Sequence, residues 1–182
     1  MILLRHGQTI FNAAFAVTRI DPGIADPPLT AEGRRQIAAA AQTLGGMKVR
    51  RLLVSPYTRA LESADIIAAR LPLPVRIDPL IGERGHFACD IGTERSRLAQ
   101  RWPAHDFGDL PERWWPEPGE SEAGFAQRCR RVREAMAQLQ DWPEILVVTH
   151  WGVIRALTGH SLGNGEWVRF DPHAPAPQAP SS

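Results

Sequence analysis

Three short apolar runs constrain this chain more than any other feature. Met1–Leu4, Arg51–Val54 (apolar after its first residue) and Ile145–Val148 show no alternation of apolar and polar positions. That is the pattern of strands covered on both faces, as in a parallel sheet between two layers of helices. Each run stops at polar residues with a glycine or proline close behind: Arg5-His6-Gly7, Ser55-Pro56 and Thr149-His150-Trp151-Gly152. Helical patterns fill the intervals. Thr30 reads as an N-cap before Ile37, Ala40, Ala41 and Leu44, which recur at helical spacing until Gly45-Gly46. Ser55-Pro56 reads as cap and first position of a helix from Tyr57 to Arg70, and Val75–Ile77 as a further strand. Ser121 opens a long helix with the stripe Phe125, Cys129, Val132, Met136 and Leu139, a second helix covers Trp151–Leu162, and Glu166–Phe170 is a candidate edge strand. Strands alternating with helices predict a three-layer α/β/α sandwich with a mostly parallel central sheet.

At 182 residues the chain is expected to form one domain over residues 1–170, followed by a disordered Pro/Ala-rich tail, 171–182. A net charge of +1 gives no reason to expect nucleic acid or a membrane surface as partner. Of its 21 basic residues only Lys48 is lysine; the rest are arginines, suited to gripping phosphate through paired hydrogen bonds. Cys89 and Cys129 make neither a disulfide framework nor a metal spacing, and no apolar run reaches membrane-spanning length. A cytoplasmic enzyme is the expectation.

In open parallel sheets ligands bind beyond the carboxyl ends of strands. His6, Ser55 with Arg59, and His150 all follow such ends. Neighbouring strands lie about 4.8 Å apart, so two imidazoles at adjacent ends could flank one small group, with Arg5 and Arg59 supplying donors. Nearby guanidinium charge disfavours a protonated imidazole, and a neutral imidazole is a nucleophile towards phosphorus. The partner expected is a small-molecule phosphate ester. Zinc is the rival ligand, but Arg5 and Arg59 would repel a dication, so neither metal nor other cofactor is expected.

Four blocks, in order, carry a resemblance. They are Leu4-Arg5-His6-Gly7-Gln8-Thr9 with Asn12, Pro28-Leu29-Thr30 with Gly33, Ser55–Ala64, and Val147–Leu157. Together they resemble the signature of the histidine phosphatase, or phosphoglycerate mutase-like, superfamily over residues 1–165. The resemblance implies a phosphohistidine intermediate on His6, with Arg5, Arg59 and His150 around the phosphate and Asn12 as a further contact. Leu80-Ile81-Gly82-Glu83 matches the pattern that carries the proton donor, which makes Glu83 the general acid; Asp90 stands close by as the alternative. Trp151, directly after the second histidine, places the chain outside the acid-phosphatase branch, which has Asp there. The mutases carry a longer basic insertion than the stretch from Glu83 to Trp102, so hydrolysis is expected ahead of mutase activity. A phospho-ligand-binding module without turnover is the remaining alternative.

The segment from Arg84 to Glu120 is poor in regular structure and rich in aromatics. A satellite packing cluster is one reading of it. The other is a lid over the leaving group, with Arg84 and Trp114 or Trp115 reaching the substrate. Arg128, Arg130, Arg131 and Arg133 read as the solvated face of their helix.

Overall fold

The computed structural model describes residues 1–117 and 119–177. Its five strands are β1 (Ile2–Arg5), β2 (Arg51–Val54), β3 (Val75–Ile77), β4 (Ile145–Thr149) and β5 (Trp167–Arg169), in the order β3-β2-β4-β1-β5. The first four pair in parallel, and β5 closes one edge antiparallel to β1. Six helices complete the described chain: α1 (Ile10–Thr18), α2 (Ala31–Leu44), α3 (Thr58–Ala68), α4 (Arg95–Arg101), α5 (Glu122–Ala137) and α6 (Trp151–Thr158).

The unalternating strands feed two cores because successive side chains point to opposite faces. Ile2, Leu4, Leu52, Val54, Leu146 and Val148 meet Ile37 and Leu44 of α2 and Leu61 and Ile67 of α3. Met1, Leu3, Leu53, Ile145 and Val147 meet Cys129, Val132 and Met136 of α5 and Val153 and Leu157 of α6. Each fully buried aliphatic side chain contributes roughly 1.5–3 kcal/mol. The chain therefore runs β1, β2 and β3 with helices on one face, then inserts β4 between β1 and β2 with its helix on the other. This reversal puts the switch point of the sheet at the carboxyl ends of β1, β4 and β2.

Several local expectations shift. The α1 helix carried no signal strong enough to predict it; it buries only Phe11 and ends at Arg19 with φ 57°. Ser55 is not a helix cap: α3 starts at Thr58, its first N–H is accepted by Asp26, and the Ser55 hydroxyl is held by His150. The helix after β4 stops at Thr158 because Gly159 takes a left-handed turn, φ 77°. Beyond β5, the Arg133 guanidinium donates to the carbonyls of Pro172, Ala174 and Leu157, which ties residues 171–174 to α5 and α6. The last residues of the expected tail, 178–182, lie outside the described residues.

Candidate active site

The parallel register pairs Arg5 of β1 with Thr149 of β4, so the next residue on each strand, His6 and His150, emerges side by side. Their ring centroids are 5.2 Å apart and both rings are buried. His6 Nδ1 lies 2.8 Å from the Gly7 carbonyl oxygen, which can only accept; Nδ1 therefore carries the proton, and Nε2 keeps its lone pair. The turn after β1 is locked by two backbones in contact. A Cβ on Gly7 would stand 2.4 Å from the Gly33 carbonyl oxygen, and one on Gly33 2.1 Å from that of Gln8. Only glycine fits at either place.

Arg59, in the first turn of α3, reaches the His150 ring and Asp90. Its Nε donates to His150 Nδ1 (3.3 Å), Nη1 to the Cys89 carbonyl (2.7 Å) and Nη2 to Asp90 Oδ1 (3.2 Å). With Nδ1 accepting, His150 donates from Nε2 to Ser55 Oγ at 2.8 Å. Arg5 gives Nη1 to the Leu162 carbonyl at 2.7 Å, while its buried Nε has no partner, the only such side-chain atom among the described residues. A buried N–H without an acceptor costs about 1–3 kcal/mol, more when charged. Burial, then Arg59 and Arg5, holds His6 well below the ordinary histidine range. His150 is lowered by burial and then by Arg59. Asn12 belongs to the same wall: its Oδ1 accepts from Thr9 and Asn164. That leaves its amide group as a donor.

Opposite stands Glu83. Oε2 accepts the Gly152 N–H at the start of α6 (3.1 Å) and Oε1 the Arg84 N–H (3.0 Å). A Cβ on Gly152 would come within 2.3 Å of Oε1, so glycine makes room for the carboxyl group. Burial, then the charge of Asp90, pushes Glu83 above the usual carboxylate range despite those two N–H groups. Asp90 is differently placed. Its Oδ1 takes Arg59 and its Oδ2 the N–H groups of His86 and Phe87, at 3.1 and 3.0 Å. It is a buried, fully engaged carboxylate that orients Arg59.

Arg128 does not lie on a solvated face. Its Nη1 donates to the carbonyls of Leu80 (2.9 Å) and Gly82 (2.7 Å) and Nη2 to that of Glu83 (3.1 Å), while Nε and Nη2 together clamp the Glu120 carboxylate. This side chain fixes the turn that carries Glu83. Sequence alone missed it, as it missed Ser63, whose hydroxyl receives the Gly7 N–H. Ser63 falls one helical turn after Arg59, which is a usable signal; Arg128 has none beyond its residue type.

Arg5, His6, Asn12, Arg59, Glu83 and Asp90 line one cavity of about 1060 Å³, and His150, Ser63 and Arg128 are not part of its lining. Arg84 lines it too, with its guanidinium held by the Glu120 carbonyl and Glu122. Trp114 and Trp115 do not line it. Trp114 stacks edge-on against Tyr57 at 4.7 Å, donates to the Thr93 carbonyl, and closes with Trp115 over Gly92. The lid expectation is corrected for this pair, whose rings are spent on packing. The aromatic wall comes instead from Phe11, Phe15 and Phe87.

The family model described as the histidine phosphatase superfamily (branch 1) matches residues 1–175. Glucosyl-3-phosphoglycerate phosphatase of Mycolicibacterium vanbaalenii is 30% identical, with 100% of this chain and 88% of that protein aligned. Adenosylcobalamin/alpha-ribazole phosphatase of Escherichia coli is also 30% identical, over 88% of this chain and 78% of that one. The solved mycobacterial glucosyl-3-phosphoglycerate phosphatase in complex with VO3 superposes with a TM-score of 0.61 at 26% identity, covering 92% of this chain and 88% of that chain.

Proposed function

We propose that this chain, which belongs to the histidine phosphatase superfamily, hydrolyses a phosphomonoester by way of a phosphohistidine on His6. The observation that carries the reading is the lone pair of His6 Nε2, kept unprotonated by burial and by the charges of Arg59 and Arg5, together with a buried Arg5 Nε–H that lacks only an anionic acceptor. Similarity over the whole chain to phosphatases of small phosphate esters supports it.

In the first step Nε2 attacks phosphorus and the bond to the ester oxygen breaks. Arg5 and Arg59 hold the non-bridging oxygens, where charge builds in the transition state, with Asn12 beside them, while His150, its ring nitrogens engaged by Arg59 and Ser55, positions the Arg59 guanidinium. Glu83, in which burial and the charge of Asp90 favour the protonated form, gives its proton to the leaving alkoxide. In the second step water attacks the phosphohistidine, the carboxylate of Glu83 takes the water proton, the P–N bond breaks and phosphate departs. Nothing in these steps needs a metal ion. Two free thiols, one of them buried, fit a reducing compartment, and we place the enzyme in the cytoplasm. Among the described residues no helix is long and apolar enough to cross a membrane.

The test is phosphate release from a panel of phosphomonoesters with orthovanadate and EDTA. Orthovanadate, whose trigonal-bipyramidal complex with the nucleophile mimics the transferring phosphoryl group, should inhibit competitively, and EDTA should have no effect. Absence of phosphate release, or activity lost to EDTA and restored by zinc, would overturn the reading.

A further inference from the structure

The cavity has two unlike ends. At one, His6, Arg5 and Arg59 are set for the phosphoryl group; at the other, Phe11, Phe15 and Phe87 pack into a wall. Phe11 and Phe15, one turn apart on α1, stack at 5.6 Å with planes 12° apart. Phe87 leans on both, at 5.8 and 5.3 Å, and the His86 ring stands edge-on to it at 4.5 Å. Phe87 remains 36% exposed, an aromatic surface left to water beside the nucleophile.

This wall is fixed relative to the phosphate end. The N–H groups of His86 and Phe87 bind the same Asp90 carboxylate that holds Arg59, and Phe11 directly precedes Asn12 on α1. Some polar groups around the wall are already engaged, Arg84 with Glu120 and Glu122 and Asn12 Oδ1 with Thr9 and Asn164, while the Asn12 amide group stays a donor on the phosphate side. The ring faces offer a hydroxyl group no hydrogen bond, whereas an apolar leaving group covers them and loses nothing. The cavity, about 1060 Å³ in all and running on to Arg155 and Pro177, extends well beyond the space of a phosphoryl group.

We propose that Phe11, Phe15 and Phe87 form the leaving-group subsite, and that the substrate is the phosphate monoester of an alcohol bearing an aromatic or other extended apolar group. This rests on the phosphatase reading above. The test is kcat/KM for ethyl phosphate, 2-phenylethyl phosphate and glucose 6-phosphate, three primary alkyl esters that make similar chemical demands. Wild type should prefer 2-phenylethyl over ethyl phosphate by roughly 10–100-fold, the range expected for burying an aromatic ring, with glucose 6-phosphate at or below ethyl phosphate. Phe15→Ala and Phe87→Ala should bring the ratio of phenylethyl to ethyl close to one, and Phe87→Leu should retain most of it. A wild-type ratio near one, or a preference for the sugar phosphate, overturns the subsite while leaving the phosphatase reading intact. Hydrolysis of none of the three by folded protein overturns that reading and the subsite with it. Should the alanine variants fail to fold, the wild-type ranking still decides.

Discussion

The two ends of the cavity are built in different ways. The phosphate end uses residues that sit at or just past strand ends or in a helix's first turn: Arg5, His6, Arg59 and His150. Their positions follow from sheet register, which the apolar runs dictate. The leaving-group end is assembled from α1, the 83–90 segment and α5, which converge only through tertiary contacts: Asp90 to Arg59, Arg128 to the carbonyls of residues 80–83. Register gives a fixed chemistry with few degrees of freedom; converging loops give a surface that can vary without disturbing it. If this division is right, substitutions at the first end remove turnover altogether, and those at the second change which esters are turned over, and how fast.

The largest effect should come from His6→Ala. Removing the nucleophile should lower kcat by at least ~10⁴-fold on every ester, with the fold retained by circular dichroism. Substantial activity in folded His6→Ala would break the comparison at its strongest point.

Next is Glu83→Gln, which should slow alkyl esters by ~10²–10⁴-fold and aryl esters with stable phenolate leaving groups far less. Its pH dependence sharpens the claim. The attacking form needs His6 neutral and Glu83 protonated, so kcat/KM should rise through the depressed value of His6 and fall through the raised value of Glu83. The falling limb, above the usual carboxylate range, should vanish in Glu83→Gln assayed on the same ester. Asp90→Asn should slow alkyl and aryl esters alike, because it loosens Arg59 and not the proton donor. Leaving-group dependence in Asp90→Asn alone would exchange their roles.

Arg128→Met should have a smaller, intermediate effect. Freeing the turn that carries Glu83 should slow alkyl esters by up to ~10²-fold, the scale of a misplacement of about 1 Å, and aryl esters less. A loss of thermal stability with no leaving-group dependence would make Arg128 purely structural.

The smallest kinetic effect is expected at Trp114. Trp114→Ala should cost about 2–4 kcal/mol of stability by denaturant unfolding and leave the ranking of esters unchanged. A reordered ranking would return the tryptophans to the substrate.

How much of this was legible beforehand follows the same division. The strands, the two cores and the juxtaposition of His6 with His150 were readable because an unalternating run has one stable environment and parallel pairing one register. Glu83 was readable only through its family pattern, and its separation from Asp90 required the hydrogen bonds of both carboxyl groups. Ser55 misled because a serine before proline suits a helix cap, yet a buried imidazole beside it took the hydroxyl. Arg128 misled because helical periodicity shows which face a residue occupies and not which carbonyls lie opposite. The aromatic-rich loop leaves both packing and a lid open for the tryptophan pair, because neither has a periodic signature; the rings pack, and Phe11 and Phe15, on a helix too weakly patterned to predict, form the wall instead.

The most direct test of the account is to trap the intermediate. Wild-type protein turning over a phosphomonoester should be quenched rapidly into alkaline denaturant and digested, and the phosphopeptide located by mass spectrometry. A phosphoryl group on His6, stable to base and labile to acid as a phosphoramidate is, is the predicted result. A turning-over enzyme that carries no phosphoryl group under these conditions, or carries it on another residue, would contradict the central claim.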